Sequence, residues 1–500
     1  MKLNFHKTPC ACVSQGWKSL SEDGEAVIDK QEIIHINKPS WSHHFPSSVT
    51  IFSVLVSICL IYAFFVLGVT QDSGILNVIR RVKTTHRQAR QDKVLTCYYN
   101  TPTESSNSSN QLFPSQIHPR LCTHINIAFA RVVDKEIYLE QHQCEALRKV
   151  VGLKGANPQL KVLLSVGGAG ENNGFSDMVI DHASRKIFIK SIKSVLSNYS
   201  LDGIDLDWEF PALHSQQSYS AARERQHFSQ LLREIRMEYN REKKNYLLTV
   251  TLAAPETVVN ISYDVDQINM YVDFANIMTY DFHYYSKFTP FTGLNAPLYA
   301  RAGEELYLAT LNVNYTVSMY TAKGLGEDKI VVGIPTYGHT FRLVNAENSN
   351  VGSPAAGVGG LGGHGFVSYG EVCAFLAEGG VSQRWEAAAR VPYLYHGHEW
   401  ASFESARSVA AKAEYVRERD LRGAMLYSLN ADDYAGRCGT AFPLARSVPF
   451  PSWAGLSQAV GQTVAHGLVP HCGARVSGAS GCPLTELSEY YLSLVKPRRL

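Results

Sequence analysis

Eight short, nearly uninterrupted apolar runs recur through the middle of this 500-residue chain. They are Val94 to Tyr99, Ile125 to Ala130, Val162 to Val166, Gly203 to Glu209, Leu247 to Ala253, Phe274 to Tyr280, Ile330 to Pro335 and Ala424 to Leu429. Runs without polar alternation read as strands buried on both faces, as parallel sheets require. Helical patterns lie between them. The clearest is Ala221 to Asn240, where Phe228, Leu231, Leu232 and Ile235 share one stripe. Eight strands alternating with helices predict an α/β fold, a closed (β/α)8 TIM barrel whose chemistry sits at the C-terminal strand ends.

The fourth run, DGIDLDWEF from Asp202 to Phe210, puts Asp205, Asp207 and Glu209 at alternate positions. In a strand these carboxyl groups leave on one face, while Ile204, Leu206 and Trp208 leave on the other. Crowded acids raise one another's pKa, which can keep a carboxylic acid protonated for donation to a leaving group. Asp202 lies at odd spacing and reads as structural.

The acid signature D-x-x-D-x-D-x-E resembles that of family 18 glycoside hydrolases, the chitinases and chitinase-like proteins. So do CYYN at Cys97, INIAFA at Ile125, LLSVGG at Leu163, MTYDFH at Met278, GIPTYG at Gly333 and GAMLYSLNADD at Gly423, in the family's order. The resemblance covers roughly Val94 to Val448. It implies hydrolysis of β-1,4-linked N-acetylglucosamine polymers such as chitin, or of their oligomers, with retention. Glu209 would be the general acid, with the substrate's acetamide oxygen as nucleophile. Asp207 would bind the acetamide N–H and share a proton with Asp205. By the same resemblance Tyr280 contacts the acetamide oxygen, with Met278 and Asp281 beside it. Tyr98, Phe129, Phe210, Tyr337 and Tyr427 line the groove, and Glu371 touches sugar. No cofactor or metal is implied. The alternative is a glycan-binding chitinase-like lectin with little turnover. Ala169 and Tyr427 favour it, because they stand where the family carries Trp, and His339 replaces a common Arg.

The long gap between the last two runs predicts a small α+β insertion over 341–404. Within it, Gly357 to Gly362 reads as a mobile glycine loop, and His396, His398 and Glu399 form a metal-like cluster. Outside the barrel (94–450), Val49 to Val69 is uncharged and long enough to span a bilayer. Residues 1–48 would then be a cytosolic tail, 70–93 a basic stalk and 451–500 a tail of unread role. The flank after the span carries Arg80, Arg81, Lys83, Arg87 and Arg90 and the flank before it only Lys30 and Lys38, which would turn the barrel towards the cytosol. The sequons at Asn107, Asn198, Asn260 and Asn314 all follow the span and argue the other way. With the disulfides that the resemblance implies, Cys97–Cys122 and Cys373–Cys438, they favour an outward or lumenal barrel, a type II single-pass protein. Cys144 is expected to be a buried thiol. RQAR ending at Arg90 is a possible processing site for release, or simply a solvated stalk. A net charge of +2, without basic runs interleaved with aromatics, gives no reason to expect nucleic acid as a partner.

Overall fold

The computed structural model describes residues 93–102, 111–170, 174–213 and 221–449. The apolar span, the stalk, Asn107 and the C-terminal tail lie outside these residues. Among the described residues, no helix is long and apolar enough to cross a membrane.

Eight parallel strands form a closed barrel. They are β1 (Val94–Asn100), β2 (His124–Val133), β3 (Lys161–Gly167), β4 (Gly203–Asp207), β5 (Leu247–Ala253), β6 (Phe274–Met278), β7 (Ile330–Pro335) and β8 (Gly423–Tyr427). Each pairs with its sequence neighbour, and β1 also pairs with β8, which closes the ring. The eight apolar runs thus become the eight staves, with ends shifted by a few residues. One shift matters: β4 stops at Asp207, and Glu209 lies just beyond it. Helices such as His182–Tyr199, Ala221–Arg241 and Ala406–Glu418 pack outside. The outward residues Ile204, Leu206 and Trp208 join that shell; the Trp208 ring stacks on Phe175 at 5.2 Å and meets Phe228 edge-on.

The insertion is a six-stranded antiparallel sheet with one helix, Tyr369–Ala377. It starts earlier than the sequence suggests, with the strand Tyr337–Leu343 inside the GIPTYG segment, and its last strand is Glu399–Ser402. Cys97–Cys122 and Cys373–Cys438 are disulfides. By loop-closure entropy they restrict the unfolded chain by about 3 and about 4 kcal/mol respectively. Cys144 is unbridged and only half-buried, not the buried thiol expected. The glycine loop is pinned: Gly360 and Leu361 donate their backbone N–H to the Glu399 carboxylate at 2.7 and 3.1 Å. His396 and His398 face the carbonyls of Gly380 and Leu343, so the three members of the expected cluster point to three different partners.

Candidate active site

Asp205 sits in the barrel interior, fully buried. Register places Ser165 on β3 and Thr249 on β5 directly beside it. Five neutral donors converge on its carboxyl. Thr249 donates to Oδ1 at 2.6 Å and Asn276 at 3.2 Å. Tyr98 and Ser165 donate to Oδ2 at 2.7 Å, and Thr251 at 3.2 Å. All five groups can donate to it, and the Tyr98 and Thr251 hydroxyls also hydrogen-bond each other at 2.7 Å. Tyr98 is therefore not a groove surface. It is 1% exposed and holds Asp205 from below.

Asp207, two residues on, is also buried, and its Oδ1 has no hydrogen-bond partner. The proton shared between Asp207 and Asp205 is thus not seen at this oxygen; the two couple through charge. Loss of solvent, then Glu209, then Asp205, hold the Asp207 carboxyl well above the usual carboxylate range. Glu209 is half-buried at the strand's mouth. Gly168 lets this end assemble. It has φ +83°, its N–H donates to the Asp207 carbonyl at 2.8 Å, and an added Cβ would fall 2.7 Å from the Phe129 ring.

The mouth is paved with rings. Tyr427 lies 6.0 Å from Tyr280 and 6.4 Å from Phe129, both stacked, and 5.6 Å from Tyr98. Met278 packs in the same cluster, while Phe210 packs against the outer core. Burial, then Tyr427, then Asp207, push the Tyr280 phenol far up, leaving it a hydroxyl donor beside the acids. Gly333 on β7 makes room for that ring, since a Cβ there would sit 2.9 Å from it.

Asp281 is the exposed acid of the group. Tyr337 donates to its Oδ1 at 2.6 Å, and His339 Nε2 lies 2.7 Å from the same oxygen. Tyr337 is buried and serves Asp281, so like Tyr98 it supports the groove more than it lines it. Glu371 is partly spent on its own helix, its Oε2 accepting from the Ser368 N–H and hydroxyl, both at 2.8 Å. It borders a separate hollow of about 210 Å3 with Asn430, Asp432 and Asp433. Asp202 lies at the opposite end of β4, paired with Lys154 at 2.8 Å and Lys161 at 3.4 Å.

Sequence reasoning missed Ser165, Thr249, Thr251 and Asn276. The available signal was small polar residues interrupting apolar strands, since such groups stay in a core only where they find partners.

A family model described as "Glycosyl hydrolases family 18" matches residues 94–432. Mouse chitotriosidase-1 is 34% identical over 367 residues, covering 71% of this chain and 77% of that protein. Human chitinase-3-like protein 2 is 32% identical, covering 71% and 91%. A solved group IV chitinase of Ostrinia furnacalis superposes with a TM-score of 0.66 at 33% identity, covering 71% and 98%. Human YKL-39, described as a pseudo-chitinase with retained chitooligosaccharide binding properties, does so at 0.66 and 30%, covering 74% and 100%. Barrel, acid signature and relatives agree: this chain belongs to glycosyl hydrolase family 18.

Proposed function

We propose that the chain hydrolyses β-1,4 links between N-acetylglucosamine units, with retention and with the substrate's own acetamide as nucleophile. Glu209 protonates the glycosidic oxygen and then activates water. Asp207 accepts the acetamide N–H, and the negative charge left on the group of acids once Glu209 has given up its proton balances the positive charge that forms as the ring closes. Tyr280 donates to the acetamide oxygen, which aims it at the anomeric carbon. Met278, Phe129 and Tyr427 border the sugar, and Asp281 reaches its hydroxyls from the insertion side. The observation that carries this reading is the contrast between neighbouring acids. Asp205 is saturated by five neutral donors, while Asp207 is buried with a partnerless oxygen and a strongly raised pKa.

The test is release of fluorophore from a chitobiose or chitotriose glycoside by the full-length chain and by Glu209→Gln. Removing a positioned acid should cost roughly 100- to 10,000-fold in rate. Equal background release by both proteins favours the second reading, a glycan-binding lectin. What supports that reading is the small Ala169 and the Tyr427 ring, since a smaller stacking face holds sugar less firmly.

Residues 49–69 we assign as a signal-anchor, with the barrel outside or in the lumen and release by cleavage near Arg90. Two disulfides support this, because such bonds persist in oxidising compartments. The sequons at Asn198 and Asn260 are exposed, and Asn314 is half-buried. A mass shift on glycosidase treatment is the expected result; no shift would put the barrel in the cytosol.

A further inference from the structure

A hollow of about 460 Å3 opens beside the aromatic floor, where the ends of β1, β2, β3 and β8 meet. That size falls within the ~300–1,000 Å3 usual for small-ligand sites. It stays open because Ala169 brings only a methyl group to its wall. Its apolar side is made by the stacked rings of Phe129 and Tyr427, 29° apart in plane. Its polar side has spare hydrogen-bonding capacity. Asn100 Oδ1 is buried without a partner. The Thr101 hydroxyl has only two long contacts, both 3.5 Å. At the rim, Glu140 pairs with Arg131 at 3.0 Å and lies 3.4 Å from His142. The cation there is thus matched by a carboxylate, and the hollow offers little to an anionic substituent.

Stacked rings beside a partnerless amide oxygen and a weakly bonded hydroxyl match the two sides of a pyranose, one apolar and one carrying hydroxyls. We propose that this hollow is a branch pocket: it takes a neutral sugar carried as a side branch on the N-acetylglucosamine unit at the cleavage position. The substrate class is then branched N-acetylglucosamine glycans, in preference to bare linear chitin. The inference rests on the glycan-hydrolase reading above.

The test uses the full chain carrying Glu209→Gln, so that binding is read without turnover. Calorimetric titrations compare N,N′-diacetylchitobiose with its α-fucosylated forms. One added stacked sugar should tighten binding by about ten-fold. Ala169→Trp, which fills the hollow, should abolish that gain. Thr101→Val, which keeps the volume and removes the hydroxyl, should cut it by about three-fold. Linear chitobiose binding with rejection of every fucosylated form overturns the pocket alone. A gain that survives both substitutions does the same. Failure of linear and branched ligands alike overturns the glycan reading, and the pocket with it.

Discussion

His124 is a test of how the barrel responds to acid. It begins β2 at the end of the barrel away from the acids, and it is 8% exposed. Its Nδ1 lies 2.8 Å from the Thr123 hydroxyl, and its ring meets Phe274 edge-on at 5.5 Å. Burial first, then Arg422 and Lys161, push its pKa down to about 3 from 6.5, with Asp202 pulling weakly the other way. Because the folded value lies below the unfolded one, the unfolded chain binds the proton more readily between the two. The contribution is therefore neutral above pH 6.5 and destabilising as pH falls towards 3. Proton linkage gives a loss of about 2.5 kcal/mol between pH 7 and pH 4.5 from this ring alone. Denaturant unfolding of the wild type and of His124→Asn at both pH values measures it. The substitution removes the titration, so the stability lost over that interval should shrink by about 2.5 kcal/mol. Any constant cost of the substitution, and all other titrations, cancel in that difference. Parallel pH curves for the two proteins would refute the buried, neutral imidazole.

Three further outcomes are expected. Asp205→Asn sets an amide N–H2 against the converging donors and removes a charge that raises Asp207; kcat should fall by roughly 100-fold, with Asp207-linked ionisation shifted to lower pH in the rate profile. Lys412 and Glu404 form an ion pair with both side chains essentially buried, each pKa displaced towards neutrality by burial. Lys412→Met should destabilise by about 3–5 kcal/mol in thermal melts, and adding Glu404→Leu should recover most of that. Cys373→Ser should cost about 4 kcal/mol against denaturant and bring protease cleavage into the insertion first.

The sequence by itself determined the staves and the acid strand. Both are local periodicities: near-continuous apolar runs long enough to span a barrel, and carboxyl groups at every second residue, which a strand must place on one face. Family motifs supplied the disulfide partners. Local pattern stops where contacts depend on closure. Tyr98, Ser165, Thr249, Thr251 and Asn276 come from four different strands and meet only because the ring closes with Ser165, Asp205 and Thr249 in register. The same holds for Tyr337 and His339, which reach Asp281 across more than 50 residues of chain. It holds too for the hollow at Ala169, a space defined by walls from four strand ends. Periodicity fixes which way a side chain leaves its own strand. Which neutral partners saturate one acid, and leave the next short of them, is set by the three-dimensional arrangement of strands distant in sequence.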